Sequence, residues 1–423
     1  MHATREAPTA ASALIDAAPA WRRLAAALAL GTLGGVGMWS VVVALPAVQA
    51  DFGVDRGAAS LPYTLTMIGF GLGGIAMGRL TDRFGVARPL AFAIVALGVG
   101  YVLASLAPTL LTYALAQGLL IGALGSSAFF GPLMADVSHW FEKRRGLAVS
   151  IVACGNYLAG TIWPPIVQHL IETVGWRQAH LSIGLFCLVT MLPLTLAMRR
   201  TPPHATPHAN AAAATAANER YARPLGLAPS TLQTLLIVAG VACCVAMSMP
   251  QVHIVAYCGD LGYGAAAGAQ MLSLMLGFGI VSRLASGWVA DRIGGLRTLL
   301  LGSFLQGVAL LLYIPFDGLS SLYVVSALFG LFQGGIVPSY AIIVREHFSP
   351  KEAGSRVGLC VMATLFGMAL GGWLSGEVFD LTGSYRAAFI NGVLWTLVNL
   401  SVVLWLLRRP NSRPRQPVTA AAG

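Results

Sequence analysis

Charge is what this sequence has least of. Only 10% of its 423 residues are Asp, Glu, Lys or Arg, against about 25% in soluble domains, while 57% are hydrophobic. That balance excludes an ordinary soluble globular protein. Metal and nucleophile motifs are lacking as well. The six cysteines (Cys154, Cys187, Cys243, Cys244, Cys258 and Cys360) have no zinc-ligand spacing and fall in or beside apolar runs, so they read as buried free thiols. Spacing suggests no phosphate loop, no His-Glu-x-x-His pair and no Ser/His/Asp arrangement, so neither enzyme chemistry, a metal site nor a cofactor is expected. Residues 1–20 lack the compact apolar core of a cleavable signal peptide.

What is present is a series of long apolar runs. They fall at about 22–48, 58–78, 89–107, 110–135, 146–171, 178–198, 230–258, 265–290, 296–316, 320–344, 354–378 and 386–408. Each is long enough to cross a hydrocarbon core roughly 30 Å thick. The expectation is an all-α membrane protein with twelve transmembrane helices in two pseudo-symmetric six-helix bundles.

The formal charge of +10 invites a nucleic-acid reading, but its distribution does not support one. When the connections are assigned alternately to the two sides, one side receives all but four of the 26 Lys and Arg residues. The other side holds only Arg56, Arg177 and Arg386, and Arg283 lies inside a run. The positive-inside rule then places both termini in the cytoplasm of a cell whose inner (plasma) membrane the chain spans many times.

The chain divides into a tail at 1–20, a first bundle at 21–198, a linker at 199–229, a second bundle at 230–408 and a tail at 409–423. The linker is rich in Pro, Ala and polar residues and has no apolar run. The two halves echo each other. "GRLTDRFGVAR" at 78–88 matches "GWVADRIGGLR" at 287–297, which pairs Gly78, Asp82, Arg83 and Gly85 with Gly287, Asp291, Arg292 and Gly294. A looser echo relates "RRGLAVSIVACGNYLAGTIW…GWR" at 144–177 to "SRVGLCVMATLFGMALGGW…GSYR" at 355–386. Repeats of this length imply duplicated bundles with a site between them near the midplane. A carboxylate just past a helix end, as at Asp82 and Asp291, can meet the positive N-terminus of a neighbouring helix or pair with arginine. Gly78 suits close approach and Gly85 a turn. The motif Gly78, Asp82, Arg83, Gly85, Gly287, Asp291 and Arg292 is therefore expected to form a cytoplasmic gate that closes in one state and breaks in another.

These paired loops resemble the signature of the major facilitator superfamily, over essentially all twelve helices. "HWFEKRRGLAVSIVACGNYLAG" (139–160), "PQVHIVAYCGDLGYG" (250–264), Arg283 and "VFDLTGSYRAAF" (378–389) are similar to its monocarboxylate transporter branch, especially bacterial members and oxalate/formate antiporter relatives. The resemblance implies that the seventh-helix histidine, His253, and the eighth-helix arginine, Arg283, line the substrate site, with Gln333 a further candidate. The chain also departs from that pattern. No lysine stands in the first run between Leu24 and Val48. Gly279 occupies the position one turn before Arg283, where many animal relatives have aspartate, and Val357–Gly376 lacks the second cation of oxalate-type relatives.

Arg283 has a physical reading of its own. It precedes Asp291 by eight residues, roughly 12 Å along a helix, against a half-core of about 15 Å. A central arginine costs roughly 2.5–3.5 kcal/mol and should face a cavity or a partner. No acidic residue lies mid-span, so the expected partner is an anion that arrives as substrate, which guanidinium grips in bidentate fashion. Asn156, Tyr157 and Tyr340 offer hydrogen bonds, and Phe129 with Phe130 an apolar wall. His253, with Arg283, is the candidate for proton coupling, because histidine titrates near neutral pH. The function expected is secondary active transport of a small organic monocarboxylate with a proton, by alternating access in the lipid bilayer. An organic-anion exchanger, a drug exporter and a non-transporting membrane sensor are the alternatives.

Overall fold

The computed structural model describes residues 15–200 and 224–409. Most of the sequence-defined linker, with His204 and His208, and most of both tails lie outside the described residues. Twelve helices are long and apolar enough to cross a membrane: α1 (Ala18–Phe52), α2 (Arg56–Phe84), α3 (Ala87–Ser105), α4 (Leu110–Ser138), α5 (Arg145–Val174), α6 (Trp176–Met198), α7 (Pro229–Asp260), α8 (Ala265–Ile293), α9 (Gly295–Leu312), α10 (Leu319–His347), α11 (Glu352–Thr382) and α12 (Tyr385–Leu407). In hydrocarbon only structure that satisfies its own backbone survives, and helices do so within one segment. Helix starts carry local signals. Pro229 takes the first turn of α7, where its missing N–H costs nothing, and the Ser384 hydroxyl accepts the Arg386 N–H at the start of α12.

α1–α6 and α7–α12 form the two bundles. We call the end carrying the α2–α3, α4–α5, α8–α9 and α10–α11 connections the basic face, after its arginines, and the other the opposite face. The repeated loop motif folds alike in both halves. Gly85 and Gly294 follow the last residues of α2 and α8 with φ of 74° and 83°, a region that penalises any Cβ. Gly69 and Gly73 of α2 face the α4 backbone, and Gly367 and Gly371 of α11 face that of α7, as glycine pairs four apart allow.

Four spans that read as continuous are interrupted. α1 breaks at Gly35, α5 at Cys154 and α10 at Gly334-Gly335, while α4 passes through a π-helical stretch at Ala116–Gly125 and a 3-10 turn at Ser126–Phe129. All six cysteines are free and buried.

The contacts between bundles are lopsided. On the opposite-face side, a Cβ added at Gly57 would strike Glu377, one at Gly372 would strike Tyr63, and one at Gly376 would strike the backbone of Arg56 and Gly57. Towards the basic face, a Cβ at Gly74, Gly78, Gly287, Gly354 or Gly358 would meet nothing within 4 Å. The bundles thus touch at the opposite face and part towards the basic one. The close approach expected at Gly78 is not made in this conformation.

Candidate functional site

A cavity of about 110 Å³ lies between the bundles and is lined from both. Arg283 enters it from α8. Its Nη1 donates to the Ala153 carbonyl at 3.1 Å, and its guanidinium carbon stands 4.3 Å from the centre of the Tyr157 ring. Both partners belong to α5 of the other bundle. Nε of Arg283 is buried and has no hydrogen-bond partner, and no carboxylate among the described residues pairs with it. Asn156 lines the same cavity, and its Oδ1 is also buried without a partner. Arg283 thus offers a donor for an acceptor such as a carboxylate, while the free Asn156 oxygen on the same cavity calls for a donor such as a hydroxyl.

At the break in α5 near Cys154, Ala153 and Tyr157 meet Arg283 and Asn156 reaches the cavity wall. Gly279 has its own explanation. A Cβ there would collide with the Tyr157 ring, so the space one turn before Arg283 is filled by an aromatic face from the other bundle. The remaining walls are mostly apolar, with Met38, Met67, Met247 and Met368 around Phe70 and Phe130, whose ring centres are 6.2 Å apart. Thioethers adapt to varied apolar shapes.

Of the sequence candidates, Arg283, Asn156 and Tyr157 are brought together on this cavity, and His253, Tyr340 and Phe129 are not on its wall. Phe130 lines it, whereas Phe129 turns inward onto Gly34. Tyr340 is buried within the second bundle, where its hydroxyl donates to Cys243 Sγ and accepts from Asn399 Nδ2 at 3.0 Å. Gln333 sits behind the wall and accepts from Gln251 Nε2 at 2.7 Å. Gln251 and Thr364, which line the cavity, carried no signal in the sequence beyond being polar in apolar helices.

His253 belongs to a different structure, a latch at the opposite face. Its Nε2 lies 2.8 Å from the Gly372 carbonyl and its Nδ1 3.1 Å from Tyr385 Oη. A carbonyl only accepts, so in the neutral ring Nε2 carries the hydrogen and Nδ1 accepts from Tyr385. Tyr385 Oη in turn accepts from Arg56 Nη1 at 2.6 Å. Arg56, on α2 of the first bundle, also grips Asp260 at the end of α7 with both Nη atoms, at 3.0 and 3.2 Å. Asp380, near the end of α11, accepts the N–H groups of Arg56 and Gly57 at 3.0 and 2.6 Å and so caps the N-terminus of α2 from across the interface. The basic-face motif offers a comparable arrangement, a carboxylate at the end of α2 for the N-terminus of a helix across the interface, but it is unmade here. Asp82 and Asp291 are exposed and bond to nothing among the described residues, and Arg83 and Arg292 stack on Phe84 and Trp288.

Two six-helix bundles with a cavity between them, in contact at one face and parted at the other, define a multi-pass membrane protein of the transporter kind. The chain belongs to the Major Facilitator Superfamily, whose profile matches residues 27–325 and 284–422. Among curated proteins it is similar to Monocarboxylate transporter 13 of Bos taurus, with 29% identity over 81% of this chain and 80% of that one. It is likewise similar to an uncharacterized MFS-type transporter, YcxA of Bacillus subtilis, with 27% identity over 86% and 88%. In fold it matches a bacterial homolog of the human lysosomal transporter Spinster in an inward-facing, occupied conformation, with TM-score 0.72, 13% identity and coverage of 93% and 98%. It also matches the nucleoside transporter NupG, with TM-score 0.69, 14% identity and coverage of 91% and 100%.

Proposed function

We propose that the chain is a secondary active transporter of an organic monocarboxylate, driven by a proton gradient. The observation that carries this reading is Arg283, a cation on the cavity between the bundles with a buried, unpartnered Nε and no protein carboxylate beside it. A substrate carboxylate would take the Arg283 fork, a hydroxyl on the substrate would donate to Asn156 Oδ1, and the apolar body would lie against the methionines and the Phe70–Phe130 wall. The charge bias of the loops supports a cytoplasmic basic face, so this conformation is open towards the cytoplasm.

Neutralising Arg283 removes the charge that hinders rocking of the bundles. On that account the loaded protein closes the basic face, making the Asp82 and Asp291 contacts, while the Arg56 latch parts. His253 ties the latch to pH. Protonation at Nδ1 turns an acceptor into a donor aimed at Tyr385, whose oxygen already accepts from Arg56, and sets a second cation near the guanidinium. Asp380, Asp260 and Glu377 are the carboxylates near this group, and the first two are already engaged by Arg56 and Gly57. Acid therefore loosens the latch.

Anion exchange is the second reading, favoured by the lack of any Asp or Glu among the described residues of the cavity wall to carry a proton. Proteoliposomes separate the two. Under an imposed inward proton gradient, symport predicts accumulation of a labelled monocarboxylate that a protonophore abolishes. Uptake that needs only a trans-anion, and ignores the protonophore, would establish exchange instead.

A further inference from the structure

We infer that the first bundle carries a second anion site, for a phosphoryl group, at its basic end. A cavity of about 830 Å³ opens there among the ends of α1, α2, α3, α4 and α6, far larger than the one between the bundles. Four arginines line it: Arg23, Arg88, Arg199 and Arg200. Two carboxylates do as well, but they do not cancel the arginines. Asp136 is taken up by Arg23, whose Nε and Nη2 hold its two oxygens at 2.7 Å each, with the guanidinium also 4.6 Å from the Trp140 ring centre. That leaves Asp82 alone against Arg88, Arg199 and Arg200, which are all exposed.

Two polar atoms on the lining residues are buried without a partner. One is Nη1 of Arg23, in a side chain only 3% exposed, and the other is Thr81 Oγ1. Buried donors left unpaired are costly, and an anion in the cavity would bring acceptor oxygens to this lining. Arginine forks match phosphate geometry, and basic pockets at the cytoplasmic ends of transmembrane helices suit anionic headgroups. Every described lining residue comes from the first bundle, so the site moves with that bundle as a unit. It lies off the route between the bundles and is distinct from the Arg283 cavity.

The ligand chemistry is a phosphate monoester or diester, supplied by an anionic phospholipid or by a soluble phosphate. The test uses the full-length protein. In neutral detergent, stripped of lipid, binding of labelled inorganic phosphate is followed by equilibrium dialysis at fixed ionic strength. In phosphatidylcholine nanodiscs with added phosphatidylglycerol, the lipid retained on the protein is counted by mass spectrometry. The variants are Arg88→Gln/Arg200→Gln, at exposed positions that folding tolerates, and Thr81→Val. Wild type should bind at least one probe saturably, the double variant should bind about tenfold more weakly, and Thr81→Val should lose a smaller factor. Retention of phosphatidylglycerol alone assigns a lipid headgroup, and binding of phosphate alone assigns a soluble ligand. Saturable binding of neither probe, or equal binding by wild type and the double variant, overturns the inference.

Discussion

Arg56 and Asp260 lie 204 residues apart in sequence and join the two bundles through a two-pronged ion pair, Nη1 to Oδ2 at 3.0 Å and Nη2 to Oδ1 at 3.2 Å. The Arg56 side chain is 10% exposed but that of Asp260 is 38% exposed, so solvent screens the pair in part. A partly screened ion pair of this kind contributes about 1 kcal/mol. Asp260→Asn should therefore shift the population towards the opposite-face-open state by roughly fivefold. Spin labels at Ala50→Cys and Leu381→Cys, on exposed sites of different bundles at that face, report it as a longer distance. The six native cysteines are buried and give little background. An unchanged distance distribution would remove Arg56–Asp260 as a latch.

On the proposed mechanism His253 ties uptake to pH. Uptake should be faster at about pH 5.5 than at about pH 7.5, because acid protonates the imidazole once it is released from the latch, where its ordinary pKa of about 6.5 applies, and so favours the parted latch. His253→Gln removes the titration, so its rate should vary less over that range. A full wild-type pH dependence in the variant would leave the proton with the bound acid rather than with the latch.

The Arg23–Asp136 pair predicts a stability effect without a direct transport effect. Both side chains are 3% exposed. Removing one partner of such a pair costs about 3–5 kcal/mol, because a charge is left buried alone. Asp136→Asn should lower the apparent melting temperature and the yield of monodisperse protein. Arg23→Met/Asp136→Leu should recover much of both, and a double variant as unstable as the single one would contradict this account.

Topology is tested by labelling. Cysteines placed at Arg199 and at Ala50 lie on opposite faces, so an impermeant thiol reagent added to intact cells should modify Ala50→Cys and spare Arg199→Cys. The reverse pattern would invert the orientation.

The helices were legible in the sequence because burial in hydrocarbon leaves an unmistakable record of apolar runs. Their interruptions were not. The break at Cys154, beside the Ala153 and Tyr157 that meet Arg283, follows from packing between spans, and hydropathy averages over it. Arg283 was legible because a lone charge in an apolar segment demands a reason. The latch was not read, yet it left a trace. Only three arginines fall on the charge-poor face, and all three are ion-paired: Arg56 with Asp260, Arg177 with Asp51 and Arg386 with Asp317. The last two stand at matching places in the repeat and pair within their own bundles, whereas Arg56 crosses between bundles. Choosing its partner required the meeting of helix ends far apart in the chain. His253 was placed on the substrate wall by family resemblance, but the hydrogen bonds of its ring put it behind the latch.

The most direct test of the account is uptake of labelled monocarboxylates by proteoliposomes containing wild type, Arg283→Ala or Arg283→Lys, with insertion matched by quantifying the protein in each preparation. The account predicts saturable uptake by wild type, a loss of about tenfold to a hundredfold or more in Arg283→Ala, and poor rescue by lysine, whose ammonium lacks the planar fork. Wild-type rates in a well-inserted Arg283→Ala protein would contradict it.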